Sequence, residues 1–190
     1  MGNIVITEFI SLDGVAEAPG GDDNFKYGAW TFEHDRGEEG NKFKWDELDS
    51  ADALLLGRRT YEGFAAAWPG RDGEFADKFN AMPKHVVSRT LTDPEWNNST
   101  VISGDLAAAV ADLKQRYDGD IQVPGSLTLA QTLIEKDLVD QINLMVFPVV
   151  LGYGRRFFGE TSGPKKLSLA SSNVVGDGVL INTLTRRAGQ

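Results

Sequence analysis

Three short stretches of the chain carry residue types suited to binding anions through the backbone. The apolar run Ala53-Leu54-Leu55-Leu56 stops at Gly57-Arg58-Arg59-Thr60 and passes directly into a helical stripe that begins at Tyr61. A helix N-terminus there presents unpaired N–H groups and a partial positive charge. Gly57 permits close approach of a ligand, Thr60 offers a cap, and Arg58 and Arg59 offer charge-assisted hydrogen bonds. The plainer alternative is a capped helix with two solvated arginines. His85-Val86-Val87-Ser88-Arg89 ends a second strand in a hydroxyl and a guanidinium, a pair suited to a terminal phosphate. Ile121-Gln122-Val123-Pro124-Gly125-Ser126 leads into a helix from Leu127 to Ile134, a third strand-to-helix turn, whose simple alternative is Ser126 as an N-cap. Open α/β folds bind ligands at the carboxyl ends of strands, so the conjunction of three such turns points to a phosphorylated cofactor.

These turns need strands and helices to position them. Period-two and continuous apolar runs predict strands over 3–12, 53–57, 85–89, 100–103, 120–123, 141–149, 167–175 and 179–186. Tyr61, Phe64, Ala65 and Trp68 fall at helical spacing, as do Leu106, Val110, Leu113 and Tyr117. A third helix runs from Ser126 to Lys136, and Phe75 and Phe79 mark a shorter one before Pro83. Alternating strands and helices imply parallel crossovers, while Gly176-Asp177-Gly178 between two alternating runs implies a C-terminal antiparallel hairpin. The expectation is one α/β domain over 1–190, with a mixed, mainly parallel sheet of about eight strands. The Gly-rich stretch from Gly14 to Asp23 reads as a mobile loop and a candidate lid.

Composition narrows the chemistry. Twenty-eight acids against nineteen bases give a formal charge of -9, unsuited to nucleic acid or an anionic membrane surface. With no Cys there is no disulfide, thiolate nucleophile or thiolate metal site, and His34 and His85 lack metal-ligand spacing, so no metal is expected. His85 reads as an ordinary strand residue. No apolar run approaches the ~18 residues of a membrane helix, and the first seven residues read as a strand rather than a secretory signal, which makes the cytoplasm the default expectation. Trp30, Trp45, Trp68 and Trp96 are read as core.

Taken in order, Gly57-Arg58-Arg59-Thr60-Tyr61-Glu62, Val86-Val87-Ser88-Arg89, Gly125-Ser126 with Leu129, Leu138-Val139-Asp140, Pro148-Val149-Val150-Leu151-Gly152 and Arg156-Phe157-Phe158 resemble the dihydrofolate reductase-like superfamily. The branch most resembled is the C-terminal reductase domain of bacterial riboflavin biosynthesis. The resemblance extends from Ser11-Leu12-Asp13-Gly14 to the final hairpin. It implies a three-layer fold, NADPH as cofactor, a small-molecule substrate and a homodimer. It also implies cofactor contacts from Gly57, Arg58, Arg59 and Thr60, from Ser88 and Arg89 toward the 2′-phosphate, and from Gly125, Ser126, Leu127 and Thr128 over the pyrophosphate.

On the substrate side the resemblance places Asp13 where nicotinamide and substrate meet, as the candidate catalytic residue that positions the substrate or a proton-relaying water, although Asp-Gly is also an ordinary turn pair. Arg155 and Arg156 are suited either to a substrate phosphate or to a solvated loop. Two departures stand out. The riboflavin-type reductases commonly carry Glu where this chain has Pro124, and no one acid among Glu38, Glu39, Asp46 and Glu47 stands out as the pterin-gripping carboxylate of dihydrofolate reductases. The function implied is NADPH-dependent reduction of a small heterocycle, of the 5-amino-6-(5-phosphoribosylamino)uracil type. Reduction of dihydrofolate or another pterin is the alternative, and a non-catalytic nucleotide-binding protein is the rival from another class.

Overall fold

Strand β2 (Ala51–Gly57) is fully buried from Ala53 to Leu56, as expected for a strand covered on both faces. It lies within a computed structural model that describes residues 1–21 and 24–187. The other strands are β1 (Ile4–Ser11), β3 (Lys84–Val87), β4 (Ser99–Ile102), β5 (Asp120–Pro124), β6 (Gln141–Phe147), β7 (Leu167–Val175) and β8 (Val179–Arg186). The helices are α1 (Gly37–Asp49), α2 (Arg58–Ala67), α3 (Glu74–Ala81), α4 (Leu106–Arg116) and α5 (Leu127–Glu135), with a 3-10 turn at Trp30–Glu33. The strands hydrogen-bond in the order β4-β3-β2-β5-β1-β6-β8-β7. Pairs β2–β3, β2–β5 and β3–β4 are parallel, whereas β6–β8 and β7–β8 are antiparallel. The sheet is therefore mixed and mostly parallel, and it ends in the expected hairpin.

The chain divides into two compact units: Met1–Ile6 with Trp45–Asp140, and Thr7–Lys44 with the chain from Gln141 onward. In the first, Leu54, Leu56 and Val86 of the strands pack with Tyr61 of α2, Phe79 of α3 and Trp96. Lys84 is fully buried, its ammonium donating to the carbonyls of Asn80 and Asn97 and lying over the Trp96 ring. Burial lowers its pKa to about 8. In the second, Val15, Phe25 and Trp30 pack with Met145, Phe147, Val179 and Ile181.

Two readings of the sequence are corrected. Helix α1 was not visible in the apolar periodicity because its inward positions include Gly40 and Glu47 as well as Leu48. The Gly40 position is small for a reason: a Cβ there would lie 3.3 Å from Val175 and 2.8 Å from Arg36. The loop read as mobile is tethered from Gly14 to Pro19. Gly14 O accepts from Phe157 N–H, Ala16 N–H donates to Arg155 O, and Pro19 O accepts from Thr31 Oγ1. Glu17 O accepts from the Trp30 indole, and the Glu17 carboxylate accepts from Arg155 N–H at 2.7 Å. Asp22 and Asp23 of that stretch lie outside the described residues.

Candidate functional site

In the first unit, the turns after β2 and β5 are built as one piece. Gly57 N–H donates to Ser126 Oγ at 3.0 Å, and Ser126 N–H donates to Thr60 Oγ1 at 3.0 Å. Ser126 Oγ also donates to Pro124 O at 3.2 Å. Two expectations change here. Ser126 stands at the N-cap of α5 but makes no side-chain cap bond, because its hydroxyl bridges to the neighbouring turn. Thr60 does not cap α2 either, since its hydroxyl receives Ser126 N–H. The N-termini of α2 and α5 consequently both lack a side-chain cap from their N-cap residue.

Backbone conformation explains the residue choices at these turns. Gly125 has φ +57°, and a Cβ there would meet Thr60 at 3.4 Å. Ser126 itself has φ 58° and ψ 43°, a left-handed conformation for a non-glycine residue, held by the bonds just described. Gly57 is extended at φ -78°, so its small size serves approach rather than conformation. Leu127 and Thr128 form the opening residues of α5. The strand end at Ser88 and Arg89 adjoins the Gly57 turn because Gly57 pairs with Val87 in the parallel register, which sets Ser88 and Arg89 beside Arg58 along the sheet edge. Ser88 Oγ accepts from Thr90 N–H at 3.1 Å and Leu91 N–H at 2.9 Å, so its hydroxyl shapes the loop. Arg89 is exposed.

The arginines differ in their availability. Arg58 bonds Glu62 on α2 at 2.9 Å, an exposed i,i+4 pair of little energetic weight. Arg59 is exposed and has no ion pair among the described residues.

Asp13 belongs to the second unit and is heavily engaged. Its Oδ1 accepts from Ser11 Oγ at 2.7 Å and Leu151 N–H at 3.1 Å, and its Oδ2 accepts from Gly152 N–H at 2.9 Å. The Ser11 hydroxyl, followed by these backbone donors, lowers its pKa below the ordinary aspartate value. Arg156 approaches Oδ2 at 4.0 Å. An anionic carboxylate with three donors is a clamp for the loop at Leu151 and Gly152, and at neutral pH it has no proton to give.

Two features of the second unit were not singled out in the sequence. An open cleft of about 440 Å³ is lined by residues 26–28, Trp30 and Glu33 on one side and Val149–Leu151 on the other. No periodicity marks it, because loops assemble it. The other is Glu8, in the middle of β1 and 4 % exposed, whose Oε1 accepts from Phe9 N–H while Oε2 has no hydrogen-bond partner among the described residues. Burial pushes its pKa up to about 8, so it stays protonated to a higher pH than an ordinary glutamate. Its signal was an acid at an inward position of an otherwise apolar run. His85, by contrast, is the strand residue expected: Tyr117 and Thr100 hold its two ring nitrogens, and burial lowers its pKa to about 4.

Comparison with known proteins then decides the family. A sequence profile described as the RibD C-terminal domain matches residues 3–181. The chain belongs to the RibD C-terminal domain family. Two uncharacterized Bacillus subtilis (strain 168) proteins are among its relatives. YwjB is 28 % identical over 174 residues, covering 91 % of this chain and 92 % of that protein. YyaP is 27 % identical over 140 residues, covering 71 % and 74 %. A crystal structure of a protein named for riboflavin biosynthesis, from Shewanella sp. PV-4, superposes with a TM-score of 0.80 at 23 % identity, covering 97 % of this chain and 99 % of that one. A pyrimidine reductase-like protein from Corynebacterium diphtheriae superposes at 0.62 with 14 % identity, covering 99 % and 93 %. The fold is the dihydrofolate reductase-like α/β arrangement. Family and fold together indicate an oxidoreductase of that class.

Proposed function

We propose that this RibD-family chain binds NADPH through the turns of its first unit and reduces a small heterocyclic substrate. The observation that carries this reading is the pair of adjoining helix N-termini, locked together through Ser126 and left without side-chain caps. Two helix starts built around glycine and fixed by these bonds suit a pyrophosphate, because their backbone is already ordered when the anion arrives. Gly57 and Gly125 keep side-chain bulk away from the two turns. Arg59, which has no ion pair among the described residues, and Arg89 supply positive charge on a chain of net charge -9, and are assigned to the 2′-phosphate. When bound, NADPH supplies the hydride.

Asp13 is assigned to the substrate side as a positioning residue. Its carboxylate holds Leu151 and Gly152, and with them the wall of the cleft. The reference substrates are 5-amino-6-(5-phosphoribosylamino)uracil, as the riboflavin-type resemblance implies, and the dihydropterins. The test is NADPH oxidation with each substrate, beside NADPH binding measured alone. Oxidation with either supports the reductase. Binding with no oxidation by any heterocycle would favour a nucleotide-binding protein without catalysis.

A further inference from the structure

Strand β7 ends the sheet and pairs with β8 alone, so its outer edge offers backbone N–H and C=O groups that have no strand partner among the described residues. Soluble proteins blunt such edges with short strands, charged side chains or Pro. This one runs nine residues, Leu167–Val175, with no charged residue and no Pro, and every position from Ser168 to Val174 is exposed. Leu169 and Val174 are 60 % and 67 % exposed. They pair with Leu184 and Leu180 of β8, which lie on one side of that strand, so the two apolar side chains share a face of the hairpin. The register shift between Leu169 and Ser171 brings this about, with Ala170 as the extra residue of a bulge.

The two ends of this uncharged strand carry opposite signs, since Lys166 precedes it and Asp177 follows it in the hairpin turn. Asp177 is fixed there: its carboxylate accepts from Asp35 N–H and its own N–H donates to Asp35 O. A strand with this pattern is complementary to itself when two copies run antiparallel. About a two-fold axis through Ser172, each Ser172 faces its own counterpart, Ser171 faces Asn173, and Leu169 faces Val174, with Ala170 again the extra residue. The same register sets Lys166 opposite Asp177 at both ends, and opposed side chains share a face throughout, as an antiparallel pair requires. An in-register parallel arrangement would set lysine on lysine and aspartate on aspartate. With a formal charge of -9, two copies repel over most of their surface, and an uncharged strand bounded by one plus and one minus is where they can approach.

We propose that a second copy of this chain adds its β7 antiparallel to this one, joining the two C-terminal hairpins into a continuous sheet about a two-fold axis at Ser172. The test is Ser172→Cys in the full chain, which otherwise contains no Cys. Opposed Cα atoms of an antiparallel pair lie about 4.5–5.5 Å apart, within reach of a disulfide, so mild oxidation should give a covalent dimer on a non-reducing gel. Ser168→Cys is equally exposed, but its counterpart lies roughly 20 Å away along the strands and should not crosslink. Sedimentation equilibrium of the unaltered protein should show a dimer, weakened about tenfold by Leu169→Lys, which sets a charge against Val174. Lys166→Glu sets like charges together at both ends and should weaken it about fivefold at low salt and less at high salt. A monomer at all concentrations, a dimer in which Ser172→Cys fails to crosslink or Ser168→Cys crosslinks as readily, or indifference to Leu169→Lys would each overturn the proposal.

Discussion

At Gly57–Thr60 and Gly125–Thr128 of the first unit the proposed cofactor site is made of backbone, two helix starts fixed by two hydrogen bonds through Ser126. Around residues 26–33 and Val149–Leu151 of the second unit the cleft is lined by side chains: rings and, among the described residues, one ammonium and one carboxylate. Backbone donors come with any helix start, so such a site needs glycine and a strand-to-helix junction and tolerates variety elsewhere. A cleft made of side chains has its specificity written residue by residue. The first kind suits a cofactor that many proteins share, the second a substrate that distinguishes one relative from another.

Glycines sharpen this comparison most. A Cβ at Gly176 in the second unit would lie 2.1 Å from Asp35 O, and φ there is +49°. Gly176→Ala is expected to destabilise the protein by on the order of 3 kcal/mol, read as a fall in the urea midpoint. Gly57→Ala meets its nearest neighbour, Ser126, at an ordinary 3.6 Å with an extended φ. It should leave stability within about 1 kcal/mol while weakening NADPH about tenfold by holding the phosphate off the turn. Equal losses of stability in the two variants would remove the distinction between a glycine that serves the fold and one that serves a ligand.

Asp13→Ala removes the acceptor for Ser11, Leu151 and Gly152 and should cost about 2 kcal/mol. The folded pKa of Asp13 is lowered, so its contribution is present above the ordinary aspartate value and is lost as pH falls through the folded one. Acid titration of stability in the wild type and in Asp13→Asn checks the sign. As a positioning residue, Asp13 should also affect KM for the heterocycle more than NADPH affinity.

The fold was largely legible because apolar runs and turn glycines report strands and their ends directly. The three strand-end turns were legible for the same reason. What was not legible depended on distant partners. Asp13 and Glu17 lie 138 residues from the loop groups they hold, so the stretch from Gly14 to Pro19 looked unanchored. Ser126 looked like a cap because its acceptor role toward Gly57 crosses 69 residues. Helix α1 hid behind glycine and glutamate at inward positions.

Glu8 gives the opposite pH effect. Its folded pKa of about 8 stands above the model-peptide value of 4.5, so the unfolded chain loses its proton first and stability falls as pH rises between those values. Glu8→Gln should flatten that slope and raise stability at pH 8 by about 1 kcal/mol relative to the parent. A slope unchanged in the variant would mean that another group is responsible.

The central claim is that the first unit holds a 2′-phosphorylated dinucleotide through fixed backbone donors and free arginines. It is tested most directly by titrating NADPH and NADH against the protein and its Arg59→Ala and Arg89→Ala variants, following quenching of tryptophan fluorescence. A charge-assisted bond of about 1.5–3 kcal/mol corresponds to a preference for NADPH of roughly ten- to a hundredfold, abolished in whichever variant removes the responsible guanidinium. Equal dissociation constants for the two cofactors, or a preference unaffected by both substitutions, would contradict the account.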